Sequence, residues 1–279
     1  MPPRLKATAR FFVFATLTLV LLPFQFLVLA IPGGKGRVGY ALPNLWHIII
    51  CRAFGIKVEI LGTPYRRSQT VFVSNHISYL DIPAIGSVLP ASFVAKKDVA
   101  GWPVFGMLAK LQQTGFIDRS RTAALTQNSA MGAMLDEGKT LIIFPEGTST
   151  DGREVIPFKS SLFSLLVGDA RPGLMIQPFT LSMRMADGSK PQTQDERDLY
   201  SWHRDMDTDL GVHLWRFAQS RGAIITLHFH PAFKAAGHTD RKELAAFCHN
   251  QVAQGLADQD NNELKIKTTT AKKGAAIHV

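Results

Sequence analysis

Apolar positions near the start of the chain run together instead of alternating. The stretch "FFVFATLTLVLLPFQFLVLAI" at 11–31 is 21 residues without a charge. A helix rising about 1.5 Å per residue over that length matches a bilayer core of roughly 30 Å, so the segment is expected to enter membrane. A second apolar stretch, 40–56, carries Asn44, His47 and Arg52. It is short and polar for a span and suits an interfacial or re-entrant helix. Arg4, Lys6 and Arg10 precede the first segment, while Lys35, Arg37 and Arg52 follow it, so the basic residues leave the topology open. The same start resembles a secretory signal, but the apolar run is long and no A-x-A site follows, which favours a retained anchor.

From about Val58 the pattern changes to short β-branched and aromatic runs at 58–61, 70–74, 92–95, 115–118, 140–144, 175–181 and 223–228, with helical stretches between most of them. One such stretch, between Asp118 and Thr140, puts Leu125, Met131, Met134 and Leu135 near one helical face and stops at Gly138. Another, 101–111, has helical apolar spacing that suits core or bilayer contact. Strand, helix and strand in alternation predict an α/β fold. Residues 186–209 mix charge, Gly and Pro without a period and read as an exposed excursion. The chain therefore divides into an N-terminal membrane anchor at 1–57, a domain at 58–260 and a basic, frayed tail at 261–279.

Composition narrows the classes. The 279 residues are 46% hydrophobic, which suits a packed core, and carry a formal net charge of +9. That charge favours an anionic partner without choosing among lipid, nucleic acid and phosphorylated substrate. Cys51 and Cys248 are the two cysteines, far apart in the chain, and offer neither a disulfide framework nor a Cys-rich zinc site. A reducing, cytosolic setting fits.

Candidate chemistry collects at two strand ends. In "VFVSNHISYLD", 71–81, an apolar strand runs into His76, with Asp81 five positions on. Ligand sites in open α/β sheets form at such edges, and a helix opening near Ser78 would bring Asp81 back beside the imidazole, as a base with an orienting acid requires. Asp81 as a first-turn helix acid and His76 as a turn residue fit the stretch equally well. In "LIIFPEGTST", 141–150, a second apolar strand runs into Glu146, Gly147 and Thr148. These can line an anion or hydroxyl site, or simply close a turn with Glu146 paired structurally. The "GKT" at 138–140 stands five residues after Gly132, where a phosphate-binding loop has four, and helix precedes strand, so it is not such a loop. Without a G-x-S-x-G elbow or a Cys at a strand edge, a histidine that activates the substrate's own hydroxyl is the more plausible catalyst.

Taken in order, "NHISYLD" (75–81), "GFIDR" (115–119), "FPEGTST" (144–150) and "MIQPFTL" (175–181) resemble the four sequence blocks of the glycerolipid acyltransferases, the 1-acyl-glycerol-3-phosphate acyltransferase group. The resemblance covers about 58–180. In the fourth block "QPF" stands where the family more often has Pro178's equivalent between Val or Ile. It implies a mixed central sheet with flanking helices, preceded by membrane-associated helices. It also implies transfer of an acyl chain from an acyl-carrier-protein or coenzyme A thioester to the free hydroxyl of a lysolipid, with no cofactor and no metal. His76 would be the general base, Asp81 its orienting partner, Arg119 the phosphate ligand, and Glu146, Gly147 and Thr148 the lining of the acceptor site. Lys96 or Lys97 would assist in binding an anion.

His228 and His230 share a strand face, but no carboxylate or Cys completes a ligand set in the sequence, so no metal is expected there. The expected function is acylation of 1-acyl-sn-glycerol-3-phosphate to phosphatidic acid at the cytoplasmic face of the cytoplasmic membrane, with membrane lipid and the acyl thioester as partners and no nucleic acid. The alternative acceptor is a lyso-ornithine lipid, whose carboxylate Arg119 would then bind. From another class, a catalytically idle lipid-binding module is the rival reading, as is a lipid hydrolase.

Overall fold

The computed structural model describes residues 1–36, 38–117 and 124–261. Its strands are β1 (Ile56–Leu61), β2 (Thr70–Ser74), β3 (Ser92–Lys96), β4 (Gly115–Ile117), β5 (Leu141–Ile143), β6 (Met175–Ala186), β7 (Ala223–Phe229) and β8 (Phe233–Lys234). Its helices are α1 (Pro3–Ala30), α2 (Ala41–Phe54), α3 (Asp81–Gly86), α4 (Phe105–Leu111), α5 (Ala124–Asp136), α6 (Gln194–Arg197), α7 (Leu210–Gln219) and α8 (Arg241–Asn261). The strands form one sheet in the order β1-β7-β6-β2-β5-β3-β4, with β8 on β6.

The sheet is mixed. Strands β2 to β6 run parallel, whereas β7 is antiparallel to β6 and carries β1 parallel to itself. Both faces are covered. Phe72 points into a core built with α1, α2, α3 and α7, while Val71 and Val73 point into one built with α5 and α8. Burial on both sides is why β2 reads as an unbroken apolar run, and its bounds match the sequence expectation. The parallel strands end at one edge, so the segments after β2 and β5 emerge side by side, with the tip of β3 next in order.

The N-terminal segments are integrated with this domain. Phe11 stacks on Trp215 of α7 at 5.6 Å, and Arg10 donates to the carbonyls of Ala218 and Ser220 at 2.9 Å each. The Gln25 amide donates to the carbonyls of Gly39 and Leu111. Along its other side α1 exposes Phe12, Leu19, Val20, Phe24 and Leu27, an apolar stripe that suits association with a membrane. The second apolar stretch becomes α2, which buries Ile50, Cys51 and Phe54 in the core instead of lying free in an interface. α5 buries Met131, Met134 and Leu135 as the spacing predicts, and Gly138 follows at φ +75°, the left-handed geometry of a helix stop. The tail at 262–279 lies outside the described residues.

Candidate active site

Asn75 fixes the end of β2. Its side chain donates to the carbonyl of Leu181 and accepts from the Leu181 amide, both at 2.8 Å, which locks β2 to β6 where the chain leaves the sheet. The turn that follows places Ser78 three residues ahead of α3, with the Asp81 amide on the Ser78 carbonyl. Asp81 thereby folds back under the turn. Its Oδ2 accepts from His76 Nδ1 at 2.8 Å, from the Ile77 amide at 2.7 Å and from the Ser78 amide at 3.0 Å. Its Oδ1 accepts from the Tyr200 hydroxyl at 2.9 Å.

Four donors around a side chain with 0% exposure hold a carboxylate, not a solvated helix-start acid. Because a carboxylate only accepts, His76 Nδ1 is the donor in this bond, and in the neutral ring the lone pair is on Nε2. The imidazole is 20% exposed and stacks on Phe144, ring centroids 4.2 Å apart, so its plane is fixed on one side while the ring still reaches solvent. A base, an orienting acid and a ring held in one plane are the elements of proton abstraction from a hydroxyl.

Of the two places the sequence left open to Glu146, the structure shows structural pairing, with backbone amides as the partners. It is 1% exposed, and its two oxygens accept from the backbone amides of His76, at 2.6 Å, and Ile156, at 3.0 Å. The carboxyl therefore sits beneath the site as a brace between the segments following β2 and β5. Burial pushes its pKa up to about 8, although the two amides pull the other way and nearby Asp81 adds to the rise. Gly147 closes the turn at φ +76°. Thr148 does reach a cleft, and the adjoining Thr150 amide donates to the His76 carbonyl at 2.9 Å. Lys96 stands at the tip of β3, 55% exposed and paired with Asp98, outside the His76 hydrogen-bond network. Arg119 lies outside the described residues.

The expected exposed excursion at 186–209 holds along much of its length but not around Tyr200. Tyr200 and Ser201 are fully buried, the Trp202 amide donates to the Ile77 carbonyl, and Ser149 Oγ donates to the Trp202 carbonyl. This segment roofs the turn that carries His76 and Asp81 and supplies Tyr200, which sequence periodicity misses because one anchoring tyrosine among charges has no period. Tyr79 in the turn donates to His213 Nδ1 at 2.8 Å, while His213 Nε2 donates to the Asp198 carbonyl. His228 and His230 lie with ring centroids 4.5 Å apart, and His230 Nε2 bonds Thr180 Oγ1 at 2.9 Å.

Two spaces flank the turn. An apolar cavity of about 150 Å³ lies against Tyr79, Leu80, Phe93, Trp102 and Phe105. A polar cleft of about 670 Å³ lies on the other side, along 148–151 and the roof segment.

The family model described as Acyltransferase matches residues 55–182. A lyso-ornithine lipid O-acyltransferase of Brucella abortus is 34% identical, over 85% of this chain and 88% of its own length. A 1-acyl-sn-glycerol-3-phosphate acyltransferase of Neisseria meningitidis is 29% identical over 75% of this chain and 78% of its own. The crystal structure of the 1-acyl-sn-glycerophosphate acyltransferase of Thermotoga maritima superposes with a TM-score of 0.65 at 18% identity, covering 92% of this chain and 96% of that one, a likeness of fold.

Proposed function

We propose an acceptor and a chemical route from one premise: this chain belongs to the Acyltransferase family and is an O-acyltransferase acting on lysolipids. The acceptor is a lyso-ornithine lipid, a change from the lysophosphatidate that the sequence blocks favour. The charge of the polar cleft carries this reading. Its lining presents Asp151, Glu154, Asp195, Asp198, Asp205 and Asp207. Among the described residues, Arg204 and Arg216 stand against these carboxylates, in a protein whose overall formal charge is +9. A phosphate monoester entering there meets repulsion, whereas a headgroup with one ammonium and one carboxylate finds both of its counter-charges. The relatives of like length named for lyso-ornithine lipid support the same choice.

In this route His76 Nε2 takes the proton of the acceptor hydroxyl as its oxygen attacks the thioester carbonyl carbon. The C–S bond breaks on collapse of the tetrahedral species, and the imidazolium returns the proton to the departing thiolate. Asp81 stabilises the imidazolium between those steps. The apolar cavity takes acyl chain, the apolar stripe on α1 keeps the site at the bilayer, and the thioester arrives from the cytoplasmic side on acyl carrier protein or coenzyme A. Arg119, Gly147 and Thr148 belong to acceptor binding in this reading, and Lys96 to the approach of the anionic donor.

Purified protein supplied with both thioesters and with lyso-ornithine lipid and 1-acyl-sn-glycerol-3-phosphate in competition, with products weighed by mass spectrometry, tests the choice. Ornithine lipid is expected to dominate. Dominant phosphatidic acid would overturn the acceptor, and free fatty acid alone would overturn acyl transfer.

A further inference from the structure

The apolar cavity beside the catalytic turn does not end in hydrocarbon. A second cavity, of about 60 Å³, adjoins α1, and both spaces are lined by Trp46, His47, Leu108 and Gln112. His47 and Gln112 therefore stand in the partition between two otherwise apolar spaces. His47 is 4% exposed, and neither of its ring nitrogens makes a hydrogen bond of good geometry, although the Gln112 side chain stands close enough to interact with the ring. Across the smaller space, Gln25 Oε1 is buried and likewise unpartnered.

Two other polar groups near this wall are satisfied. Trp46 donates to Thr18 Oγ1 at 2.9 Å, and His213 uses both of its nitrogens. Burial pushes the His47 pKa down to about 4, with Gln112 acting in the opposite direction, so the ring is neutral at physiological pH. A neutral imidazole offers one donor and one acceptor, and even with Gln112 turned to one of them the other is left unmade, which is costly in a dry site where leucine would fill the volume freely. The fold also makes room for the ring. A Cβ on Gly86 would fall 2.4 Å from His47 Cδ2, and Asn44 holds the Gly86 carbonyl at 2.7 Å.

We propose that His47 recognises a hydroxyl carried within a fatty acyl chain, so that this cavity selects hydroxylated chains over plain hydrocarbon. The proposal rests on the acyl-transfer reading and adds a preference to it. A hydroxyl both donates and accepts and so pairs with either imidazole nitrogen, which neither a saturated nor an unsaturated chain can do. Its position follows from α3. Asp81 at one end of that helix holds His76, Gly86 at the other faces His47, and the helical rise separates them by roughly 8 Å. The recognised hydroxyl is therefore well inside the chain, not beside the reacting carbonyl. It can arrive on the donated acyl group or, as a second hydroxyl, on the chain of the lysolipid.

The test uses full-length protein and two series of substrates. In one, acyl donors of equal length carry a hydroxyl scanned along the chain or none. In the other, a plain donor meets lysolipids whose own chain has or lacks an additional hydroxyl. At one position in one series, kcat/KM is expected to exceed that of the plain partner by about tenfold, the worth of a hydrogen bond that rescues bare polar atoms. His47→Leu should bring that ratio close to one, and His47→Gln, which keeps a donor and an acceptor, should restore part of it. Binding is read separately as the rise in melting temperature with free hydroxy fatty acid over the plain acid, present in the wild type and lost in His47→Leu. Plain chains performing as well at every position in both series, or a preference that survives His47→Leu, would overturn the proposal. If no donor is transferred at all, acyl transfer fails, and the melting comparison still decides for or against His47.

Discussion

The Tyr200 hydroxyl donates to Asp81 Oδ1 at 2.9 Å, across 119 positions of sequence. It occupies the oxygen that His76 does not use, so the carboxylate is held from both ends. Tyr200→Phe keeps the ring and removes only this donor. The hydrogen bond to a charged group is worth about 1.5–3 kcal/mol, so stability should fall by that order. Its removal also leaves more negative charge facing His76, which favours the imidazolium. The acid limb of the kcat/KM profile should move to higher pH, with a moderate loss of turnover. A tyrosine that serves packing alone would leave that limb where it is.

His76→Ala should lower turnover by roughly 10² to 10⁴, the usual range for loss of a general base, with little change in melting temperature. Asp81→Asn is the sharper test. Asparagine can present its oxygen to the three donors at Oδ2 and its amide to Tyr200, whose oxygen can accept, so the fold survives the exchange. The charge that favours the imidazolium does not survive it. Turnover should fall about a thousandfold or more while substrate KM values change little. A stable and fully active Asp81→Asn enzyme would remove Asp81 from the chemistry.

Much of this site can be read from "NHISYLD" and "FPEGTST", because two strands buried on both faces produce apolar runs whose ends are visible as polar blocks. What pattern cannot supply is the direction in which a side chain points. Glu146 reads as lining a cleft or as structurally paired, and that its oxygens are taken by the His76 and Ile156 amides is a fact of tertiary geometry. β6 continues to Ala186, past the expected end at 181, because antiparallel pairing with β7 carries it through a register shift between Met183 and Met185. Within 186–209, exposed along much of its length as expected, the anchoring is missed since Tyr200 and Trp202 hold it singly among charges. β8 is two residues long and carries no pattern at all.

The exposed stripe on α1 separates membrane contact from folding. Phe12 is 71% exposed and Leu19 72%, whereas Phe11 packs on Trp215 and Arg10 ties the helix to α7. Deleting 1–32 would therefore strip a core contact along with the anchor and unfold part of the domain. Phe12→Glu combined with Leu19→Glu should instead weaken flotation with anionic vesicles while leaving the melting temperature within a few degrees, because surface changes away from packed features cost little. Unchanged flotation would show that the stripe does not meet lipid.

Glu146 connects stability to pH. Its ordinary pKa of 4.5 rises in the folded protein to about 8, chiefly through burial, so the unfolded chain releases this proton more readily than the folded one. The stabilising contribution is complete below the unfolded value and is lost as pH climbs through the folded one. Buried histidines act in the opposite sense. His47 and His230 are pushed down to about 4, so their contribution is present above the ordinary value of 6.5 and is lost as pH falls toward 4. The wild-type curve mixes both, and the difference between wild type and Glu146→Gln isolates the carboxyl. Glutamine cannot accept from both the His76 and Ile156 amides, because its NH₂ must face one of them, and that penalty does not vary with pH. Denaturant unfolding at intervals between about pH 5 and pH 8 should therefore show the variant weaker at every pH, with the gap narrowing steadily as pH rises. Parallel curves would mean that Glu146 keeps one protonation state across the range, and that its two amide partners outweigh its burial.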